Sequence, residues 1–219
     1  MIVEENRLAQ ALVEKSEPLF RILSTKEINP NQLHILLIAF KHSDRLLIYA
    51  KNNIQDSYQF LHEYKISCRS GVLGPKKKEG DKQVPEGFYY INRFNPRSKY
   101  HLSLGLNYPN DFDIQNGYTG SHIFIHGGIE SQGCIPITDD HIKEVYILAH
   151  WAYQAGQHLI PVYIFPFEMT EENLNVYKST VHAQTLAFWE TLQEGYNIFH
   201  QTNRELNLKI ENGKYHISG

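Results

Sequence analysis

Cysteine is nearly absent from this chain: Cys68 and Cys134 are the only two among 219 residues. No dense disulfide framework can hold such a fold, so a hydrophobic core must. Positive charge is not in excess either. Lys and Arg number 21 against 24 Asp and Glu, for a formal charge of −3, which leaves no basic footprint for nucleic acid or for an anionic membrane surface. No apolar run approaches the ~20 residues of a membrane span. Met1-Ile2-Val3 leads straight into Glu4-Glu5-Asn6-Arg7, without the basic start and long apolar stretch of a signal peptide. Read alone, that predicts a soluble cytoplasmic protein. There is no repeat, low-complexity tract or clear linker.

What is present is core material. Apolar residues make up 42% of the chain, with 14 Tyr and 11 Phe, enough for one large domain with small appendages. The 12 histidines make the net charge swing positive as pH falls through the imidazole range. Along the chain, Leu8, Ala11, Leu12, Leu19, Phe20 and Leu23 share one face of a helix expected over residues 4–23, with Pro18 dividing it. Leu33–Phe40 and Leu46–Ala50 flank a polar turn and read as a hairpin, with a third strand over Tyr58–Ile66. Further strands are expected over Glu86–Asn92, Tyr100–Leu106 and Ile160–Phe165, with a loop over Asn107–Gly120. Ile142, Val145, Tyr146, Ala149 and Ala152 repeat at helical spacing behind Thr138, an expected N-cap, and Gly156 suits the stop. Thr170 opens another helical region, in which Leu186, Trp189, Leu192, Tyr196 and Phe199 form a core stripe. Leu206–Ile217 carries an Asn-Gly hairpin turn.

The stretch richest in chemistry is Ser121–Asp139, SHIFIHGGIESQGCIPITD. A short apolar run delivers His126 at a strand end, and Cys134 follows after Ser131, Gln132 and Gly133. A thiol reacts as the thiolate and, with a free pKa near ~8.5, needs a neighbouring base at neutral pH. Glycines at 127, 128 and 133 permit tight backbone paths, and inward-facing N–H groups near Gly133 would suit an oxyanion. The plain alternative is a buried hydrophobic cysteine beside a hydrogen-bonded structural histidine. Strand alternation would also turn His122 to the same side as His126, which with Cys134 makes a zinc set conceivable; no HExxH or Cys-x-x-Cys accompanies it. Cys68 reads as a buried strand residue and both thiols as free, with a Cys68–Cys134 disulfide the alternative in an oxidising compartment. Gly71–Gln83 reads as a solvated loop whose Lys76, Lys77 and Lys78 could alternatively wall a cleft and attract an anionic polymer. Tyr108 and Tyr118 are placed to line that cleft or to be half-buried structure.

His126-Gly127 followed by Ser131-x-Gly133-Cys134-Ile135 resembles the signature of the YkuD-type L,D-transpeptidases, cysteine enzymes of bacterial cell-wall peptidoglycan. Val84-Pro85-Glu86-Gly87-Phe88-Tyr89 is similar to the strand that opens their catalytic domain. Ser70–Lys76, Phe94-Asn95-Pro96, Leu102–Pro109 and Val162–Thr170 resemble the YafK-like branch, so the likeness runs over roughly residues 30 to 215. It implies an α+β fold: a mostly antiparallel, β-sandwich or barrel-like catalytic domain over 30–168, an N-terminal helical extension over 1–29, and C-terminal helices with a hairpin over 169–219. It implies Cys134 as the acyl-accepting nucleophile, His126 as general base, the Gly127 carbonyl orienting the imidazole, and the Gly133 N–H as oxyanion donor. Ser131, Gln132, Tyr108 and Lys76 are the expected substrate-binding residues. No metal or organic cofactor is implied. The implied partners are peptidoglycan stem peptides, and in hydrolytic members a peptidoglycan-linked lipoprotein. The family implies an exported protein of the periplasm or cell envelope, against the cytoplasmic expectation above. The His–Cys interval is shorter than in many members, and Pro136 stands where many carry an arginine. That arginine's role passes to no residue here.

Overall fold

Strand β1 (His34–Phe40) shows why this sequence builds a sheet covered on both sides. Ile35, Leu37 and Ala39 enter one core, while Leu36, Ile38 and Phe40 enter another. Side chains alternate across a strand, so an unbroken apolar run requires burial on both faces. The same division recurs in β2 (Arg45–Lys51) and in β8 (Ile160–Phe165), where Ile160, Val162 and Ile164 face one way and Tyr163 and Phe165 the other. A computed structural model describes residues 6–53 and 57–218.

With β3 (Gln59–Lys65), β4 (Gly87–Ser98), β5 (His101–Leu106), β6 (Phe124–His126) and β7 (Ile135–Pro136), these strands form one eight-stranded sheet in the order β3-β2-β1-β8-β4-β5-β6-β7. The sheet is mostly antiparallel, as expected, but β1 pairs β8 and β6 pairs β7 in parallel. It is a single curled sheet rather than two stacked ones, flanked by helices from both ends of the chain.

On the first face lie α1 (Arg7–Thr25) and α3 (Thr138–Gln154). Asn6 caps α1 through Ala9 N at 3.2 Å, and Ala11, Leu19 and Leu23 are its buried stripe. The expected first residues of this helix, 4 and 5, lie outside the described residues. Pro18 sits inside one continuous helix and does not divide it. Helix α3 begins at Thr138 itself, so the N-cap is Ile137, which has no side-chain cap bond, rather than the expected Thr138; the Thr138 hydroxyl accepts only a long bond from His141 N at 3.4 Å. Gly156 (φ 101°) follows its end.

On the second face lie α4 (Glu171–Tyr177), α5 (Ala183–Thr202) and the hairpin β9 (Asn207–Glu211) and β10 (Lys214–Ser218), turned at Asn212-Gly213. Trp189, Leu192 and Phe199 of α5 are buried, as the stripe predicts. One element was not expected. Within the stretch 107–120, read from the sequence as a loop, α2 (Asp111–Gln115) forms on a reciprocal capping box between Asn110 and Asp113. Burial lifts the Asp113 carboxyl to about 7.

A buried polar network ties this second layer to the sheet. Lys41 Nζ donates to Glu86 Oε1 at 2.9 Å, to Gly74 O at 2.9 Å and to Val84 O at 3.0 Å. Gly74 N also donates to Glu86 Oε1, and Trp189 Nε1 donates to Glu86 Oε2, each at 2.7 Å. Both ends of the loop between Gly74 and Val84 are thereby fixed to Lys41, which pairs with Glu86, and Glu86 in turn is held by Trp189 of α5. Each ion has enough partners to offset its desolvation, the condition under which a buried pair is tolerated.

Candidate active site

The site is built where the short parallel pair β6–β7 ends against the start of α3. Ile125 pairs with Ile135 and His126 with Pro136, so Cys134 stands one residue before β7, level with Phe124. Paired residues of adjacent strands share a face, which brings Cys134 to the side from which His126 projects.

The imidazole of His126 is 3% exposed. Its Nδ1 lies 2.5 Å from Gly127 O. A carbonyl can only accept, so Nδ1 carries the hydrogen and Nε2 keeps its lone pair. Tyr100 stacks on the ring at 4.5 Å and 29°. Gly127 can be nothing larger: a Cβ there would stand 2.4 Å from Asp139 Oδ1 and 2.6 Å from Tyr100 O. Asp139 Oδ1 accepts from Gly128 N at 2.8 Å, which ties the glycine turn to the first turn of α3. Burial pulls the His126 pKa below the ordinary imidazole value, against the opposing pull of the Gly127 carbonyl and the Asp139 charge.

Cys134 is partly buried and unbridged. Its Sγ donates to His122 O at 3.5 Å. Among the described residues no Cys134–His126 hydrogen bond is formed, a looseness common in sites without substrate. Burial pushes the thiol pKa up, while the Phe124 backbone and the Lys76 charge pull it down; burial wins. Burial thus disfavours the charged form of each group, the thiolate and the imidazolium alike.

Two serines organise the loop before Cys134. Ser131 Oγ donates to Cys134 O at 2.8 Å, and Ser70 Oγ accepts from Gly133 N at 2.7 Å; the two hydroxyls are 2.8 Å apart. This amends the oxyanion expectation, because the Gly133 N–H is already committed to Ser70. Gly133 has φ 108°, and a Cβ on it would come within 2.9 Å of Gln83 O. The loop that Lys41 and Glu86 anchor therefore presses directly on the residue before the thiol. Two non-glycine residues with left-handed backbone bracket the site, His122 (φ 58°) and Thr138 (φ 72°); such strain, of order 1–3 kcal/mol each, concentrates at functional sites.

The other expected residues fall out differently. Lys76 is buried, with Nζ on Asp81 Oδ1 at 2.6 Å and on Lys78 O at 3.0 Å, so it clips its own loop while acting on Cys134 through its charge. Tyr108 is buried with its hydroxyl on the carbonyls of Lys76 and Thr119, each at 3.2 Å. Gln132 is exposed. His122 lies outside β6 in a left-handed conformation, so the alternation that would align it with His126 does not hold and the zinc reading loses its premise. Cys68 is not a buried strand residue. Strand β3 ends at Lys65, and Cys68 is exposed on the connection that follows, bordering with Cys134, Lys41 and Val84 a cavity of about 10 Å³. An adjoining cleft of about 220 Å³ is lined by Lys41, Arg69, Ser70 and Val84. Sequence reasoning missed Ser70 and Tyr100 because nothing in their spacing marks them; each reaches the site across strands.

Comparison with known proteins agrees with this architecture. YafK of Escherichia coli strain K12, provisionally named an L,D-transpeptidase, is 37% identical over 181 residues, covering 82% of this chain and 72% of YafK. The same figures hold for the protein of that name from strain O157:H7. Among solved structures, the helical cell shape determining protein Pgp2 of Campylobacter jejuni superposes with a TM-score of 0.51 at 19% identity, over 81% of this chain and 73% of its own; at that identity it bears on the fold alone. Residues 36–164 match YkuD, the L,D-transpeptidase catalytic domain, and with them this chain belongs to the YkuD L,D-transpeptidase family.

Proposed function

We propose that the protein catalyses cysteine-dependent acyl transfer on peptidoglycan stem peptides in the bacterial cell envelope, with Cys134 as nucleophile and His126 as general base. The observation that carries this reading is the His126 imidazole, fixed by Gly127 O at 2.5 Å so that Nε2 is the free base, on the strand beside Cys134. Nε2 removes the thiol proton as Sγ attacks the peptide carbonyl. A C–S bond forms, and the carbonyl oxygen takes the negative charge. The Gly133 N–H, once released by Ser70, supplies a donor to it. The intermediate collapses, the C–N bond breaks, and the departing amine takes the proton from the imidazolium. An acceptor amine, deprotonated by His126, then attacks the thioester and restores the thiol. With water as acceptor the same residues give a hydrolase, a carboxypeptidase or an amidase that frees a peptidoglycan-linked lipoprotein. The chemistry requires no metal or organic cofactor.

The test is mass spectrometry of products from defined muropeptides, with and without an added D-amino acid, and from a stem peptide joined to a lipoprotein-like lysine. Exchange or cross-linked products are expected. Products of water addition alone make the protein a hydrolase with the same centre. No change in any substrate, together with a Cys134 inert to electrophiles, overturns the enzymatic reading in favour of a wall-binding module.

A further inference from the structure

The two edges of the curled sheet meet beside the nucleophile loop. Strand β3 is one edge of the strand order and β7 the other. The chain leaving β3 nevertheless runs back along β7: Ser67 N donates to Pro136 O at 2.8 Å, and Ser70 Oγ accepts from Gly133 N at 2.7 Å. As one side climbs from 67 to 70 its partners descend from 136 to 133, so this segment lies antiparallel to the stretch that carries Cys134. The Ser67 hydroxyl adds contacts to Pro136 O at 3.0 Å and to Gly128 O at 3.1 Å. Both neighbours of Ser70 are anchored as well. Arg69 Nη1 donates to Lys41 O at 3.2 Å and to His42 O at 3.0 Å. Gly71 (φ 75°) leaves no room for a Cβ against Gln83 Oε1, which also accepts from Val72 N at 2.8 Å.

The direction of each hydrogen bond at Ser70 follows from counting donors. The Gly133 N–H can only donate, so Ser70 Oγ accepts it. Ser131 spends its one hydrogen on Cys134 O at 2.8 Å, so across the 2.8 Å between the two hydroxyls Ser70 is the donor. The result is a closed circuit, from Gly133 N–H to Ser70 to Ser131 to Cys134 O, in which each bond polarises the next. It grips both ends of the Gly133–Cys134 dipeptide from a segment 63 residues away. Ser131 Oγ alone holds the Gly133 N–H only at 3.3 Å. We infer that Ser70 is a positioning residue for acyl transfer at Cys134: it aims the Gly133 N–H at the oxygen that becomes negative and keeps Cys134 O fixed while that N–H changes partner. The inference rests on Cys134 being the acyl acceptor, as proposed above, and not on the peptidoglycan substrate. When the N–H turns to the oxyanion, Ser70 still donates to Ser131 and Ser131 to Cys134 O, so one link is exchanged and the rest of the circuit stands.

The test uses the Cys68→Ser protein, in which Cys134 is the one thiol, and two reagents read by mass spectrometry. The ester p-nitrophenyl acetate acylates sulfur through a tetrahedral oxyanion: a C–S bond forms, the C–O bond to nitrophenolate breaks, and the thiol proton passes to His126. Chloroacetamide alkylates the same sulfur by displacing chloride, with no oxyanion. Ser70→Ala should slow acetylation of Cys134 by about tenfold or more, part of the ~10²–10³-fold cost of losing a whole oxyanion donor, while alkylation and melting temperature stay near the parent's. Ser70→Thr, which keeps the hydroxyl, should restore acetylation. Equal losses with both reagents, no loss with either, or a Thr variant as slow as the Ala variant overturns the inference. The same variants are assayed on defined muropeptides. Acetylation that depends on Ser70 without turnover of any muropeptide upholds the inference and sinks the peptidoglycan reading. Muropeptide turnover unchanged by Ser70→Ala sinks the inference alone.

Discussion

The two faces of the central sheet are packed with different chemistry. Against α1 and α3 the core is mainly aliphatic, with Ile35, Leu37, Leu104 and Val162 of the sheet in one cluster with Ile142, Val145 and Leu148 of α3. Against α5 and the hairpin it is largely aromatic, with Phe88, Phe165, Phe167, Trp189, Phe199 and Tyr215 in one cluster and several of their rings in edge-on contact. Ile125 and Ile135 enter that aliphatic core, so His126 and Cys134, their neighbours along the chain, turn to the opposite side of the sheet beside the start of α3. The aromatic face holds a cavity of about 320 Å³ and uses buried polar anchors, Lys41 and Glu86, to fix its loops. One face serves as brace; the other sets the loop that reaches back to the thiol.

The two should therefore break differently. The largest effect falls at the braced edge and is purely chemical. Cys134→Ala should abolish turnover while leaving the thermal melt nearly unchanged, read by product analysis and calorimetry. His126→Ala should lower the rate by about 10²–10⁴-fold, the usual contribution of a general base. On the aromatic face, Trp189→Ala should destabilise by about 3–5 kcal/mol in denaturant unfolding. Trp189→Phe sharpens the contrast. It keeps a ring but leaves Glu86 Oε2 without its donor, at a cost of about 1–3 kcal/mol, and should lower kcat/KM by loosening the loop against Gly133. Ile147→Val, its counterpart on the aliphatic face, should cost about 0.5–1.5 kcal/mol and leave kcat/KM alone. If both variants affect rate equally, the two faces do not divide the work as described.

The pH profile gives a smaller but well-signed effect. The folded His126 pKa lies below the ordinary value of 6.5, so the acid limb of the rate should fall below pH 6.5; a limb at or above it would mean that burial does not govern the base. The unfolded chain takes up that proton first, so the stability contributed by a neutral His126 is present above pH 6.5 and lost as pH falls through the depressed folded value. Cys68→Ser should have the smallest effect, with turnover retained, since this thiol is exposed on a connection and makes one long contact, to Arg69 O at 3.6 Å.

Much of the fold was legible because periodicity is local. The apolar runs of β1, β2 and β8, the stripe of α5 and the Asn-Gly hairpin each declare themselves within a dozen or so residues. The pairing of β1 with β8 in parallel was not legible, since residues 37–40 meet 162–165 only through topology. Helix α2 hid in a polar stretch whose one local signal was Asn110-x-x-Asp113. At the site, His126, Gly127 and Cys134 stood out by spacing and family pattern. Ser70, held 2.7 Å from Gly133 N across 63 positions, could not. Lys76 looked like a surface cation because it sits among other lysines; its partner Asp81 is five residues away, and only the fold turns the two inward.

The Lys41–Glu86–Trp189 contact also sets an order of events. Lys41 and Glu86 emerge early in synthesis, and Trp189 follows 103 residues after Glu86. Until α5 docks, one oxygen of Glu86 has no partner and the segment pressing on Gly133 lacks its full anchor. The surroundings of the thiol are thus finished only after α5 has been made and has docked. If Cys134 is the nucleophile proposed above, its reactivity should be low in chains whose α5 has not docked, and thiol labelling during refolding checks this.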